Sequence, residues 1–172
     1  MSKLISNPVS VNELVREDME NVRRVLIESY QQYESYFPPQ AWEDYLKRIV
    51  SSIDNPNVDK ILVAKLDQEV LGTLQLFQSG EKAYAIPELK IEAPIIRLLG
   101  VHPRARGRGV GHALLNTVIH DAKALGESSI YLHITDFMHH AIKIYEKLGF
   151  KREVSKDFSR GNIVSKCYRL DL

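Results

Sequence analysis

The chain has 172 residues, of which 44% are hydrophobic and 26% are charged, and its formal net charge is +1 at pH 7. This composition is that of an ordinary globular protein, and the length suits one domain, residues 1–172, with a substantial core. The near-neutral charge gives no support for nucleic-acid binding. Cys167 is the single cysteine, which excludes an internal disulfide and a multi-cysteine zinc site.

We expect neither a signal peptide nor a membrane-spanning segment. Met1 to Ser6 contains no long apolar stretch, and no apolar run elsewhere reaches the length that crosses a bilayer. A lone cysteine also suits a reducing compartment. The sequence therefore predicts a cytoplasmic protein without a membrane partner.

The first part of the chain predicts one strand followed by two helices. Val9 to Leu14 alternates apolar and polar residues, which is typical of a half-buried strand. Apolar residues then recur at helical spacing between Arg16 and Tyr33. A second helix starts at Pro38-Pro39, because proline suits a first helical turn, and its apolar stripe continues to Ile53.

A hairpin and a longer strand follow. Ile61 to Ala64 and Val70 to Phe77 flank a short polar turn, so we expect an antiparallel hairpin. Ser79 to Ala93 shows no clear period and is either a loop or an extension of its neighbours. The fourth predicted strand runs from Pro94 to Val101.

The C-terminal part predicts two further helices and three strands. Gly126 and Gly149 each stand where a helix is expected to stop, and Thr135 or Asp136 can cap the second helix. The elements are, in order, a helix from Val110 to Leu125, a strand from Ile130 to Ile134, a helix from Phe137 to Leu148, and strands from Phe150 to Val154 and Ile163 to Leu170, joined by Lys156 to Asn162.

A basic, glycine-rich segment joins the fourth strand to the helix at Val110. Its arginines and glycines are Arg104, Arg106, Arg108, Gly107, Gly109 and Gly111. Glycine lets backbone N–H groups approach a ligand closely, and a helix start presents unpaired N–H donors and a partial positive charge. These features together predict a cradle for a phosphate or pyrophosphate.

The pattern of this segment narrows the ligand. The P-loop pattern is absent, and the dinucleotide pattern fails because its third glycine position holds His112. What remains, Arg106 to Gly111, reads R-x-x-G-x-G and resembles the acetyl-CoA pyrophosphate loop of the GNAT superfamily of N-acetyltransferases. Ala141 to Phe150 is similar to the family's A-x-x-x-Y-E-K-L-G-F, and the order of the predicted elements is also that of the GNAT fold.

The resemblance implies an α/β (α+β) GNAT-like fold, with a mixed central sheet of about seven strands flanked by about four helices. In this fold the fourth and fifth strands splay apart, and acetyl-CoA, the expected co-substrate, inserts between them. The fourth strand would bind the pantetheine arm through backbone hydrogen bonds, as a strand is added to a sheet edge. The implied cofactor-binding residues are Leu99, Gly100, Val101, Arg106, Gly107, Arg108, Gly109, Val110 and Gly111.

The resemblance also implies catalytic residues. Tyr145 matches the tyrosine that protonates the leaving thiolate, and a phenol with a reference pKa of about 10 stays protonated at neutral pH; the alternative is a core aromatic residue. The general base is open between His133 and Glu92, which could equally be a structural strand histidine and a solvated loop charge. We expect no metal, since His139 and His140 are adjacent and lack ligand spacing.

One position departs from the family, and one region is expected to select the substrate. Many relatives have a cofactor-contacting asparagine seven residues before the tyrosine, where this chain has Met138. Substrate selection is expected from the first two helices and from Lys156 to Asn162. Aromatic residues of those helices either line an amine pocket or only pack the helices together; they are Tyr30, Tyr33, Tyr36, Phe37 and Trp42.

The leading hypothesis is direct acetyl transfer from acetyl-CoA, within a ternary complex, to a primary amine of a small molecule or peptide. The sequence leaves the identity of that amine open, and a homodimer is one state to test. Two alternatives remain: a non-catalytic acyl-CoA-binding sensor or interaction domain, and a nucleotide-binding protein.

Overall fold

The computed structural model describes residues 8–172, so the N-terminal segment Met1 to Ser6 lies outside the described residues. The described residues form eight strands and five helices. None of these helices is both long and apolar enough to cross a bilayer. The strands are β1 (Ser10–Glu13), β2 (Lys60–Leu66), β3 (Glu69–Phe77), β4 (Ile95–Val101), β5 (Ser129–Ile134), β6 (Lys151–Arg152), β7 (Phe158–Arg160) and β8 (Ile163–Asp171). The helices are α1 (Met19–Tyr30), α2 (Pro39–Ser51), α3 (Gly80–Tyr84), α4 (Val110–Ala124) and α5 (His139–Lys147).

The strands form one sheet in the order β1-β2-β3-β4-β5-β8-β6, with β7 paired to β8. β4 and β5 are parallel, and the other paired strands are antiparallel. The predicted α/β class with a mixed sheet is therefore confirmed. The hairpin between β2 and β3 is also confirmed, with Asp67 and Gln68 at positive φ in its two-residue turn.

The sheet is packed on both faces because its central strands are apolar on both faces. In β2, Leu62 and Ala64 pack in the same hydrophobic cluster as Leu114 of α4. Ile61 and Val63 point the other way and pack with residues of α1 and α2. The sheet thus lies between α1 and α2 on one side and α4 and α5 on the other, which is the period-two pattern of a fully covered strand.

The first two helices are shorter than predicted at their ends. α1 begins after a 3₁₀ turn at Arg16–Asp18 and is followed by another at Gln31–Tyr36. α2 passes into a 3₁₀ turn at Ser52–Asp54. A 3₁₀ turn continues nearly the same helical direction, so an apolar stripe can run through it without an α-helical hydrogen-bond pattern.

The C-terminal region differs more from the prediction. α5 begins at His139, and neither Thr135 nor Asp136 caps it, since Met138 is its N-cap. β7 lies within the predicted connection and forms a hairpin with the start of β8, where Gly161 has a φ of 61°. The predicted strand from Phe150 is reduced to the two residues of β6.

Candidate active site

An opening separates β4 from β5. The two strands pair only at Ile95 with Tyr131 and at Ile96 with Leu132 among the described residues. β5 continues beside β8, with which six of its residues pair. Within residues 8–172, the backbone of β4 from Arg97 to Val101 therefore has no neighbouring strand on its β5 side. Unpaired backbone of this kind can bind an extended ligand that carries amides.

A β-bulge lies at the start of this unpaired stretch. Leu98 has a φ of 51°, and the register between β3 and β4 shifts by one residue here. A left-handed conformation costs a leucine on the order of 1–2 kcal/mol, so the surrounding packing must hold it. The bulge changes the direction of the local N–H and C=O groups. The next carbonyl, that of Leu99, accepts a hydrogen bond from the Tyr30 hydroxyl at 3.3 Å.

Gly100 explains how closely α1 approaches β4. A Cβ atom at Gly100 would lie 2.5 Å from Ser29 Oγ. The glycine therefore lets the C-terminal turn of α1, with Tyr30, reach the unpaired part of β4. Its predicted role beside the pantetheine arm is compatible with this packing role, because the first uses the backbone and the second the missing side chain.

The segment after β4 presents its backbone at the N-terminus of α4. His102 Nδ1 accepts a hydrogen bond from the Arg104 N–H at 3.1 Å and so fixes the turn at Pro103–Ala105. Gly107 and Gly109 have φ values of 75° and 83°, and a Cβ atom on either would meet nothing within 4 Å. Their left-handed backbone, rather than a shortage of space, calls for glycine.

The three arginines of this segment differ in their partners. Arg104 forms an ion pair with Glu69. Arg106 lies near the Ser29 carbonyl, with Nη2 at 3.4 Å from the oxygen. Arg108 has no ion pair or hydrogen-bonded side-chain partner among residues 8–172. Two exposed arginines without carboxylates thus stand beside the positive end of a 15-residue helix, an arrangement that fits a pyrophosphate group.

Tyr145 lies at the opening. It is buried in α5, and its ring packs edge-on to Phe150 at 5.6 Å. With Leu99 and His133 it lines a small cavity of about 60 Å³, which we call the Tyr145 cavity. The Tyr145 hydroxyl has no hydrogen-bond partner within the described part of the chain, and burial raises its pKa. The phenol is therefore a protonated donor on a residue that lines the Tyr145 cavity.

His133 also lines the Tyr145 cavity, but both of its ring nitrogens are engaged. Nε2 donates to the Lys156 carbonyl at 2.7 Å, so Nδ1 accepts from the Tyr84 hydroxyl at 3.1 Å. Burial lowers the pKa of His133. The imidazole is therefore neutral, and its one lone pair is already used by Tyr84.

Glu92 is not brought together with these residues. It is exposed and precedes β4, at the opposite end of the strand from the basic segment. It does not line the Tyr145 cavity, nor does it line the larger cavity beside it, which is described next. In residues 8–172, no group of three or more histidine, cysteine, aspartate or glutamate side chains is placed to hold a metal ion.

A second cavity of about 290 Å³ adjoins the first on the side of α1 and α2, and we call it the aromatic cavity. The two are continuous past the bulge of β4, because they share six lining residues: Tyr30, Arg97, Leu98, His133, Ile134 and Met138. Its aromatic lining residues are Tyr30, Phe37, Tyr45, Tyr84, Phe137 and Phe158. A shallower groove of about 440 Å³ on the outer side of α1 and α2 shares no residue with either cavity.

The aromatic residues of the first helices divide between the two expected roles. Tyr30 and Phe37 line the aromatic cavity, whereas Trp42 is buried against Phe37 and Tyr45 in the helical layer. Met138, which replaces the family's asparagine, lines both cavities. The position therefore contributes apolar packing in place of an amide.

The sequence did not point to Tyr84 or Arg97 as lining residues of the aromatic cavity. Tyr84 comes from α3, whose five residues are too few to show a helical period. Phe158 lies within the segment Lys156 to Asn162 that was expected to select the substrate, although its strand β7 was predicted as a loop. Arg97 had a usable signal, because a charged residue that interrupts an apolar strand must find a polar site.

Comparison with known proteins agrees with this architecture. The family model described as "Acetyltransferase (GNAT) family" matches residues 19–150. The PaiA N-acetyltransferase of Thermoplasma acidophilum, solved with coenzyme A, is 20% identical with a TM-score of 0.71, over 96% of this chain and 99% of that one. A Corynebacterium glutamicum structure described as histone acetyltransferase HPA2 and related acetyltransferase is 21% identical with a TM-score of 0.71, over 96% of both chains.

A GNAT-family acetyltransferase of Staphylococcus aureus Mu50 is 18% identical with a TM-score of 0.69, over 96% of this chain and 99% of that one. At these identities the structures show the fold, and they confirm the predicted GNAT-like architecture. The family model covers most of the chain, including the basic segment and the helix of Tyr145, and confirms acetyl-CoA as the predicted co-substrate. The chain therefore belongs to the acetyltransferase (GNAT) family.

Proposed function

We propose that the protein transfers the acetyl group of acetyl-CoA to a primary amine of a small molecule or peptide, by direct attack in a ternary complex in the cytoplasm. The observation that carries this proposal is the opening between β4 and β5. Unpaired strand backbone, a basic helix N-terminus and a protonated buried phenol all border this one opening. Each of them meets one requirement of acetyl transfer.

The first requirement is to hold the donor. In the proposed complex, the backbone of Leu99 and Val101 bonds the amides of pantetheine, with Gly100 between them. The backbone N–H groups of the basic segment bind the pyrophosphate, supported by the charges of Arg106 and Arg108. The proposed donor-binding residues in this segment are Arg106, Gly107, Arg108, Gly109, Val110 and Gly111.

The second requirement is to carry the reaction through. The neutral amine nitrogen attacks the thioester carbonyl carbon, a C–N bond forms, and the π electrons move to the carbonyl oxygen. In the proposed complex, a backbone N–H of β4 at the Leu98 bulge stabilises that negative charge. When the carbonyl re-forms, the C–S bond breaks, its electron pair goes to sulfur, and Tyr145 donates a proton to the thiolate. The proton lost from the amine restores the phenol through solvent.

The geometry favours water over either candidate side chain as the acceptor of the amine proton. His133 Nδ1 already accepts from Tyr84, and Glu92 is exposed outside both cavities. His133 borders the path between the cavities, where it positions Tyr84 rather than holding a free lone pair. We therefore assign no dedicated base, and the amine must enter in its neutral form.

Cys167 supports direct attack over a covalent acetyl-enzyme. Its thiol is buried, and burial raises its pKa to about 12. A thiol of that pKa is almost entirely protonated at neutral pH and is a poor nucleophile. Because the sequence has no other cysteine, no reactive thiol of the protein can carry the acetyl group as a covalent intermediate.

The test is release of free CoA thiol from acetyl-CoA in the presence of a panel of primary amines. We expect amine-dependent turnover with intersecting initial-velocity lines, and no acetyl mass added to the protein by acetyl-CoA alone. Tight CoA binding without turnover on any amine would instead indicate a sensor. An acetylated protein that passes its label to an amine would contradict direct attack.

A further inference from the structure

Among the described residues, three arginines and no carboxylate line the aromatic cavity. They are Arg48 of α2, Arg97 of β4 and Arg160 of β7. No aspartate or glutamate of residues 8–172 lies within ion-pair distance of any of them. Elsewhere in the chain, Arg23, Arg104, Arg152 and Arg169 each pair with a carboxylate. Arg106 and Arg108, at the proposed pyrophosphate site, also lack a carboxylate partner among residues 8–172, so unpaired arginines mark two places where an anion would bind.

Neutral groups of the protein hold these guanidinium groups in place without neutralising them. Arg48 lies over the Tyr45 ring at 5.9 Å. Arg97 donates to the Ala83 carbonyl at 2.6 Å and lies over the Tyr84 ring at 4.9 Å. Arg160 donates to the Tyr84 carbonyl at 2.8 Å. A guanidinium group has five N–H donors, so these contacts leave most of them available. Neutral carbonyls and aromatic rings orient the charge and leave it uncompensated.

Arg97 is the strongest sign of a bound anion among the three arginines, because it is half-buried. A charged group that leaves water is normally paired, and here the described part of the chain supplies no carboxylate partner. The unused guanidinium donors around the cavity together form a binding site for oxygen atoms that carry negative charge.

We infer that the acceptor amine carries an anionic group, a carboxylate or a phosphonate, which Arg97, Arg160 and Arg48 bind in the aromatic cavity. This inference rests on the proposed acetyl transfer. The planar guanidinium fork matches both kinds of oxyanion, and a cavity of about 290 Å³ suits a small molecule. Polycationic amines are disfavoured by repulsion from the same arginines.

The unpaired arginines also explain how the amine could lose its proton without a dedicated general base. Positive charges close to an ammonium group disfavour its charged form and so lower its pKa. An anionic group on the same molecule provides the binding energy that brings the amine in, and one such group offsets only part of the positive charge of three arginines. The arginines would then both select the acceptor and increase its neutral, nucleophilic fraction.

The experiment compares matched acceptors by their kcat/KM values. Each free L-amino acid is tested against its decarboxylated amine, 2-aminoethylphosphonate is tested against ethylamine, and spermidine is the polycationic member of the panel. We expect the kcat/KM of at least one anionic amine to exceed that of its partner without the anionic group by about 10-fold or more, the effect of one charge-assisted contact. The carboxylate and phosphonate arms distinguish the two sources of negative charge.

Variants assign any preference to the arginines. Arg160→Gln, at an exposed position, and Arg97→Gln should each move the kcat/KM ratio of the matched pair toward one. Arg24→Gln, on an exposed part of α1 outside the cavity, should keep the ratio. If Arg97→Gln fails to fold, Arg160→Gln alone decides, because its side chain lies at the surface.

The melting temperature of the CoA-bound protein gives a measurement that needs no turnover. Anionic amines should raise it, and their matched partners should not. Acetylation without preference for the anion, a preference for spermidine, or equal melting temperatures overturns the inference and leaves the proposed acetyl transfer intact. CoA binding and stabilisation by anionic amines without turnover would contradict the transfer and support the anion site.

Discussion

The Tyr145 hydroxyl is the side-chain group on which the proposed chemistry most depends. Tyr145→Phe keeps the ring that packs against Phe150 and removes only the proton donor. We expect kcat to fall by roughly 100-fold, the scale of general acid catalysis, while the Kd for CoA stays nearly unchanged. Tyr168→Phe is the matched control, because Tyr168 is buried in the same hydrophobic cluster and lines neither cavity.

The comparison is decisive only if chemistry limits turnover. A pre-steady-state measurement of thiol release establishes this for the unmodified protein. If chemistry limits the rate and Tyr145→Phe keeps its kcat, Tyr145 is a core aromatic residue and the thiolate leaves without its help.

His133 predicts a pH dependence of stability. Its pKa is lowered by burial, so the unfolded chain binds a proton at this residue more readily than the folded chain does. As the pH falls below about 6.5, the reference value of an unperturbed histidine, the free energy of unfolding should decrease, until the pH passes the lower pKa of the folded state. Above the reference value this residue has no effect.

Chemical denaturation at several pH values between neutral and mildly acidic tests this behaviour. His133→Gln should lose less stability on acidification than the unmodified protein, because glutamine does not titrate and can still donate and accept a hydrogen bond. His120→Gln, at an exposed position of α4, is the control. Equal acid sensitivity in the protein with and without His133 would show that another group is responsible.

At the scale of elements, α4 provides a paired test of the pyrophosphate site. Gly109 at its start and Gly126 after its end have φ values of 83° and 78°, and a Cβ atom at either meets nothing within 4 Å. A side chain at either position therefore costs a similar amount of backbone strain, on the order of 1–2 kcal/mol. Gly109→Glu and Gly126→Glu should lower the melting temperature by similar amounts.

Only one of the two variants, Gly109→Glu, should weaken the binding of CoA. Gly109→Glu places a negative charge where the pyrophosphate is proposed to lie and should abolish CoA binding in calorimetry. Gly126→Glu should bind CoA with nearly the original affinity. Equal CoA affinity in both variants would remove the pyrophosphate from this end of α4.

The elements that could be predicted from the sequence are those whose cause lies within a short stretch of residues. α4 and its end near Gly126 follow from an apolar period and a glycine stop, both of which are local. The bulge at Leu98 has no local signal, because the β3 register and the packing of α1 hold a leucine at positive φ. β7 was missed because three residues that pair only with β8 show no periodicity.

The residues of the candidate site also divide into those with a local sequence signal and those without one. The positions around Gly109 and Tyr145 follow from short motifs, whereas the place of Glu92 depends on which end of β4 faces the opening. The pairing of His133 with Tyr84 joins residues 49 positions apart. No pattern along the chain could indicate that its lone pair is already in use.

Over the whole molecule, charge is distributed unevenly although the formal net charge is only +1. Most ionic contacts are local pairs at the surface, such as Arg104 with Glu69. Arg106 and Arg108 lie unpaired beside α4, and the arginines of the aromatic cavity lie unpaired on the opposite side of the opening. The affinity for an anionic donor should therefore come from local fields that the net charge does not reveal.

Ionic strength tests this distribution. Raising the salt concentration from about 0.05 M to about 0.5 M shortens the screening length severalfold, so the Kd for CoA should increase. Arg108→Gln should bind CoA more weakly at low salt and show a smaller salt dependence, because an exposed, unpaired charge has been removed. Arg24→Gln leaves the basic segment unchanged, so its Kd for CoA should equal that of the unmodified protein at both salt concentrations. If all three proteins bind CoA equally at both salt concentrations, backbone amides and the helix N-terminus hold the pyrophosphate without help from Arg108.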